Sequence, residues 1–360
     1  VCGDKELEVE NYVPFAKINT VLPGDFKIQK RKIRGIESVG MLCSAKEINL
    51  PFTDKGVMKC FKEDFGKTIA QAYEAEGVVE LEVTPNRGEA LSIRGIARML
   101  SLHCNLGPMK ELHYTNIFKE ENINLINIKS ENCLSLSCAL FEYQPKDTDI
   151  KIIKYLKLIG TDVKNIDVID LTNFIAHDLG QPLHVFDYDK IKDKNINIEN
   201  LKNKSNFIAL NQQEIELSEE TLATTSGNEV ISWPGIIGGD STKVDKDTRK
   251  ILIEAGIFKI DSMQRRKYKI NTAASKKNEY GLDYNNTELS INLFLNSIEV
   301  QNIVYQSYST KFDKKILFEY EKIKNILGIE VEREEFIRTM VKQGFDFKDD
   351  HIIPPSWLYF

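Results

Sequence analysis

The run from Val168 to Asp189, VIDLTNFIAHDLGQPLHVFDYD, constrains this chain more than any other stretch. Gly180 and Pro182 stand two residues apart just before a histidine, and such a pair fixes backbone direction where other residues leave it free. Val168 and Ile169 are expected to end a buried strand, with the short polar side chains of Asp170 to Asn173 holding the turn after it. His184 then has one direction in which to point. A histidine so placed is either a satisfied structural residue, its ring nitrogens spent on backbone groups, or the acid–base group of a site.

Glu254 is the second unusual placement. It lies in ILIEAGIF among Ile251, Leu252, Ile253, Ala255 and Ile257, which is apolar company for an acid. Strand alternation allows an edge glutamate pointing to solvent, and it equally allows a buried polar partner for a ligand. Gly235, Gly238 and Gly239 form a cluster that reads either as a tight strand turn or as backbone offering bare N–H groups to a ligand. The spacing is not that of a dinucleotide-binding loop.

Composition sets outer limits. At 360 residues with 42% hydrophobic content, the chain can bury a core in each of roughly two to three domains. No stretch approaches the ~18 to 20 consecutive apolar residues of a membrane span, and no charged-then-apolar leader opens the sequence. The six cysteines never form a Cys-x-x-Cys pair and only five histidines accompany them, so neither zinc nor a disulfide framework is expected and reduced cytoplasmic thiols are. A net charge of −6 argues against gripping nucleic acid over the whole surface. Charge is nevertheless patchy: Lys27, Lys30, Arg31, Lys32 and Arg34 crowd one eight-residue stretch, and Lys259 to Lys277 carries seven basic residues against one acid. Each patch fits a local nucleic-acid contact or a solvated face balancing acids elsewhere.

Alternation in VVELEV suggests a strand from Val78, and Thr84-Pro85-Asn86 a helix start, with Leu91, Ile93, Ile96, Ala97 and Leu100 at helical spacing. Asn122 to Asn132 shows weak strand alternation, and Ile150 to Ile159 reads as an amphipathic helix. Strands and helices are then expected to alternate. Gln306 to Asp313 is a candidate linker, and Lys315 to Trp357 reads as strand, helix, helix and strand.

These motifs together resemble the beta subunits of bacterial-type phenylalanyl-tRNA synthetases. Asp170, Thr172-Asn173, Gly180 to His184 and Phe186-Asp187 match that family's editing module. Pro23 to Ile48 is similar to its tRNA-binding OB domain, and Val78 to Leu100 to the segment leading on towards editing. Pro234 to Val244, Ile251 to Phe258, Thr272 to Leu289, Ile323 to Val331 and Pro354 to Trp357 follow in the family's order.

The resemblance implies a multidomain α/β and α+β chain: a truncated OB-like tRNA-binding domain at 1–72, a strand–helix joining segment at 73–110, an α/β editing module at 111–305 and a small α+β domain at 314–360. It further implies hydrolysis of Tyr-tRNA(Phe), with His184 and Glu254 as catalytic residues. Thr172, Asn173, Gly235, Gly238, Thr272 and Ala274 would line the substrate pocket, and the five basic residues from Lys27 to Arg34 would meet tRNA. The implied partners are tRNA(Phe) and the alpha subunit of a heterotetramer. ATP and Mg2+ would serve the full synthetase outside this chain, which is expected to begin and end within domains and not to aminoacylate by itself. Pro234, Asn278 and Tyr280 depart from the family's pattern, which leaves open a non-catalytic tRNA-binding and assembly scaffold with a decayed editing site.

Overall fold

In the computed structural model the described residues are 2–51, 56–74, 78–104, 106–107, 109–110, 112, 114–116, 124–259, 270–310 and 314–358. They fall into two compact units, Val1–Leu81 with Asp147–Asn165 and Glu82–Lys146 with Ile166–Phe360. Strands and helices are numbered along the chain.

The first unit pairs β1 (Phe15–Lys17) with β6 (Gly40–Leu42), β2 (Val21–Leu22) with β3 (Phe26–Lys27), and β4 (Arg31–Ile33) with β5 (Ile36–Ser38). These are three two-stranded antiparallel ribbons. Ile33 faces Ile36 across Arg34-Gly35, both at positive φ (48° and 84°), the backbone that a two-residue type I′ hairpin requires. Ala45, Met58, Ala72 and Tyr73 form a small core there, against which Leu158 packs. Leu158 ends α3 (Ile150–Leu158), the amphipathic helix expected from the sequence. Lys154 of α3 donates to Asp64 Oδ1 at 2.6 Å and to the Ala72 carbonyl at 2.7 Å, a largely buried attachment that groups 147–165 with this unit.

The two largest sheets lie in the second unit. One is wholly antiparallel, in the order β17 (Val300–Ser309), β8 (Cys133–Tyr143), β16 (Lys250–Phe258), β9 (His184–Asp187). The other runs β15 (Ile237–Gly238), β14 (Glu229–Trp233), β13 (Leu222–Ser226), β10 (Ile196–Asn200), β7 (Ile126–Ile128), with β7 parallel to β10 and the rest antiparallel. Leu136, Cys138, Leu140, Leu252 and Phe186 from the first sheet share one core with Ile196, Ile198, Val230 and Trp233 from the second. On the other face of the first sheet, Phe141 meets Phe294 of α6 (Asn286–Asn296) with ring centroids 6.0 Å apart.

Several expectations change here. Val168 to Asn173 is not a strand and turn but lies in α4 (Asp167–Leu179), because Val168, Leu171, Ile175 and Leu179 recur at helical spacing and all four are buried. Gly180, at φ 87°, ends that helix in the left-handed conformation that suits glycine. Val78 to Val83 forms no strand, and Val79 and Leu81 are exposed. The helix expected from Thr84 starts later: a 3-10 turn covers Gly88–Leu91 and α2 spans Ile93–His103, capped by Ser92 accepting from Gly95 N. Between α4 and α5 (Ala273–Tyr280) the described residues hold eight strands, β9 to β16, of which β11 (Ser205–Ile208) and β12 (Glu214–Leu217) form a separate hairpin, so strands and helices do not alternate there. The linker expected at 306–313 is strand as far as Ser309, because Gln306 to Ser309 pair with β8; 311–313 lie outside the described residues. The C-terminal part follows the expected order with β18 (Ile316–Leu317), α7 (Tyr320–Leu327) and α8 (Arg333–Lys342), but ends on a hairpin of β19 (Asp346–Lys348) and β20 (His351–Ile353) where a single strand was expected.

Candidate functional site

Strand register assembles the centre of the site. Glu254 on β16 stands directly opposite His184 on β9 and directly opposite Cys138 on β8, and Cys138 in turn stands opposite Gln306 on β17. Residues in such register share one face of an antiparallel sheet with Cβ atoms about 4.5–5.5 Å apart. Glu254 and His184 are therefore adjacent although 70 positions separate them in sequence. The face is the one that turns Cys138, Leu252 and Phe186 into the inter-sheet core. β16 is an inner strand, which removes the reading of Glu254 as an edge residue facing solvent.

Burial sets the chemistry of both groups. Glu254 is 4% exposed and its Oε2 finds no hydrogen-bond partner among the described residues. Desolvation pushes its carboxyl up to about 8, so at neutral pH it is mostly a neutral acid, able both to donate and to accept. Desolvation pushes His184 the other way, down to about 4, so the ring is neutral and can accept a proton. The His184 ring stands edge-on to Phe186 with centroids 4.4 Å apart. Against it lies Gly238 of β15, where a Cβ would overlap the imidazole Cε1. Burial, with Glu254 as the lesser cause, lifts the Cys133 thiol to about 12 and raises Cys138 as well, which keeps both protonated and unsuited to nucleophilic attack.

The turn that leads into β15 is bonded to a helix. Trp233 to Ile236 is a four-residue turn closed by Ile236 N donating to Trp233 O at 3.0 Å; Gly235 at φ 72° and Pro234 before it match the type II pattern. The Thr272 hydroxyl caps the start of α5 by accepting from Ser275 N and donates to Ile236 O at 2.7 Å. Ala274, partly buried, lies in the first turn of the same helix, and Asn278 donates to both Gly235 O and Ala274 O. Trp233 is 1% exposed and belongs to the core. Thr172 and Asn173 sit on α4, where the buried Thr172 hydroxyl donates to Ile169 O at 2.7 Å.

Sequence reasoning passed over Gln181. Its Nε2 donates to Pro182 O at 3.1 Å and to Gly256 O at 3.2 Å, and the residue is fully buried. Pairing of β9 with β16 stops at His184, and Pro182 has no N–H to continue it, so the glutamine amide serves the Gly256 carbonyl instead. A glutamine beside a proline at a strand start was the available signal.

Within the first unit, Lys27 lies on β3, Arg31 and Lys32 on β4, Lys30 just before it and Arg34 in its hairpin turn, all exposed. Lys30 pairs with Glu37 at 2.7 Å and Arg31 lies 5.7 Å from the Phe26 ring centroid. Most of the second basic stretch, 260–269, is outside the described residues. Among the described residues no group of three or more His, Cys, Asp or Glu side chains is placed to hold a metal ion, and no helix is long and apolar enough to cross a membrane.

Known proteins resemble this chain over nearly all its length. The family model described as the B3/4 domain matches residues 144–301. The phenylalanine--tRNA ligase beta subunit of Idiomarina loihiensis is 30% identical over 379 residues, covering 97% of this chain and 46% of that protein. The beta subunit from Rickettsia prowazekii is 31% identical over 401 residues (99% and 48%), and that from Bacillus subtilis 28% over 378 (96% and 45%). A crystal structure of an N-terminal fragment of the Pyrococcus horikoshii phenylalanyl-tRNA synthetase beta subunit covers 76% of this chain and 79% of its own, at 16% identity and a TM-score of 0.35. The chain spans about half the length of the curated relatives it matches. With the B3/4 match enclosing both Glu254 and His184, the chain belongs to the family of phenylalanine--tRNA ligase beta subunits.

Proposed function

We propose that this chain carries the proofreading site of a phenylalanine--tRNA ligase beta subunit and hydrolyses tyrosine wrongly esterified to tRNA(Phe). The observation that carries the reading is a buried Glu254, its Oε2 without a hydrogen-bond partner among the described residues, directly opposite His184. Tyrosine and phenylalanine differ by one hydroxyl, and a synthetic pocket shaped for phenylalanine rejects that isostere only by ~10²-fold. A second site that hydrogen-bonds the hydroxyl discriminates by ~10⁴ or more. Glu254 is such a partner. Its neutral carboxyl donates to or accepts from a phenol, whereas phenylalanine leaves that buried polar group unpaired, which adds to the discrimination.

His184 acts nearer the ester. Its neutral imidazole accepts a proton from the attacking water or holds that water in line with the carbonyl, a role worth ~10² to 10⁴ in rate. Both buried thiols stay protonated, which favours direct hydrolysis assisted by the tRNA's terminal hydroxyl over a covalent intermediate. Gly235 and Gly238 bring backbone close to the aminoacyl end, and Thr272 and Ala274, with Thr172 and Asn173 of α4, line the pocket. Residues 1–72 serve as an OB-like domain whose Lys27, Lys30, Arg31, Lys32 and Arg34 meet tRNA phosphates. The segment 73–110 joins it to an editing module at 111–305, followed by a small α+β domain at 314–360.

In the whole enzyme the chain would assemble with the alpha subunit in the cytoplasm. ATP and Mg2+ belong to aminoacylation there; the described residues hold no carboxylate or histidine cluster that fits the metal, and no step proposed for this chain uses it. The departures at Pro234, Asn278 and Tyr280 are what favours the alternative of a decayed scaffold. Pro234 completes a regular turn and Asn278 makes two hydrogen bonds within the site, which supports a working one. Deacylation of preformed Tyr-tRNA(Phe) by the purified chain, compared with Phe-tRNA(Phe), tests the proposal. Hydrolysis no faster than in buffer leaves the scaffold reading in its place.

A further inference from the structure

We infer that Asn278 is a positioning residue of this site: its side-chain amide holds the Trp233–Ile236 turn, and so the strand that sets Gly238 against His184. The inference rests on the editing reading above.

Two side chains of α5 grip consecutive carbonyls of the turn. Asn278 Nδ2 donates to Gly235 O at 3.1 Å and Thr272 Oγ1 to Ile236 O at 2.7 Å. Asn278 Nδ2 also donates to Ala274 O at 3.0 Å, so two carbonyls fix which end of the amide faces them. Its Oδ1 is left buried without a hydrogen-bond partner among the described residues, in a side chain only 3% exposed. An apolar residue of similar size would fill the same space and leave no acceptor stranded, so the bond to Gly235 is the feature that accounts for an amide here.

The grip has meaning because α5 is itself fixed from its far side. Lys277, the next residue back, is buried and donates through Nζ to the Leu91 carbonyl. Gly88 lies so close to the Tyr280 and Gly281 carbonyls that a Cβ would overlap them. The start of the helix is tied by the reciprocal Thr272 and Ser275 bonds. A capped helix anchored through Lys277 and its C-terminal carbonyls is a fixed post, and the turn hung from it carries its position to Gly238, three residues beyond Gly235. Pro234 restricts the same turn from within, through its ring-fixed φ. Two of the residues that differ from the family's pattern therefore act on one element.

Asn278→Asp keeps the shape, removes both donors and sets an acceptor against two carbonyls. In the 360-residue chain we expect kcat for Tyr-tRNA(Phe) hydrolysis to fall roughly tenfold or more while KM changes by less than about threefold, because misplaced backbone costs the reaction more than it costs binding. Hydrogen exchange across 233–239 should quicken while exchange in α6 stays unchanged. Should the Asp variant fail to fold, Asn278→Ala carries the same two readings. An unchanged kcat, or unchanged exchange in the turn, overturns the role of Asn278. If the unaltered chain does not hydrolyse Tyr-tRNA(Phe), the editing reading falls instead, and exchange alone then decides whether Asn278 holds the turn.

Discussion

Replacing Glu254 by glutamine should flatten the pH dependence of stability in one defined window. The carboxyl titrates at about 8 in the folded chain against 4.5 when unfolded. The native state therefore keeps a proton that the unfolded state releases, so the contribution to stability is complete below pH 4.5 and is lost as pH rises to 8. His184 and His177 shift oppositely, from 6.5 to about 4, and their contribution is lost as pH falls from 6.5. Below pH 6.5 these trends oppose each other; above it the histidines are neutral in both states. Lys277, lowered to about 8, acts only at higher pH. Between pH 6.5 and 8, Glu254 thus acts nearly alone, and 1.5 pH units at about 1.4 kcal/mol each amount to about 2 kcal/mol. The wild-type chain should lose about that much more stability than Glu254→Gln between those two pH values, on the order of 4–8 °C in melting temperature. Both tryptophans, Trp233 and Trp357, lie in the second unit, so urea unfolding followed by their fluorescence reports on the part that contains Glu254. Equal slopes in the two proteins would refute a desolvated carboxyl at this position.

Activity should separate the two central residues. Glu254→Ala is expected to lose most of the preference for Tyr-tRNA(Phe) over Phe-tRNA(Phe), whereas His184→Ala should slow Tyr-tRNA(Phe) hydrolysis by ~10² or more and change the ratio less. Retained selectivity in folded Glu254→Ala would pass the reading of the hydroxyl to Thr272 or a backbone N–H. Ala274→Trp should stop deacylation of both esters with little change in circular dichroism; continued hydrolysis would remove Ala274 from the pocket. Gln181→Leu leaves Gly256 O without its side-chain donor and should destabilise the second unit by about 1–3 kcal/mol in urea, an effect that an unimportant amide would not show. Glutamates at Lys30, Arg31 and Lys32 should weaken tRNA binding and flatten its salt dependence in filter-binding titrations; an unchanged salt slope would assign those residues to a solvated face.

The family and the order of its segments were legible in the amino-acid sequence, which also singled out His184 and Glu254 as candidates. This was possible because short polar and glycine-rich motifs survive as local patterns: Gly180 to His184 and the isolated acid in ILIEAGIF are legible without a fold. Helix α3 and the strand–helix–helix order near the end were legible for the same reason, since periodicity over eight or more residues is local information. Local pattern also misled. Two β-branched residues before a polar cluster read as a strand and turn at Val168, where burial of Val168, Leu171, Ile175 and Leu179 against the rest of the unit decided for a helix. The face that Glu254 takes is set by strand pairing. Alternation along β16 allows either side; the register that sets it opposite both His184 and Cys138, on an inner strand, turns it into the core and leaves its carboxyl neutral. Likewise, nothing in the sequence joins Asn278 to Gly235 across 43 positions, because that bond depends on where a turn and a helix pack, and packing is a property of the whole unit.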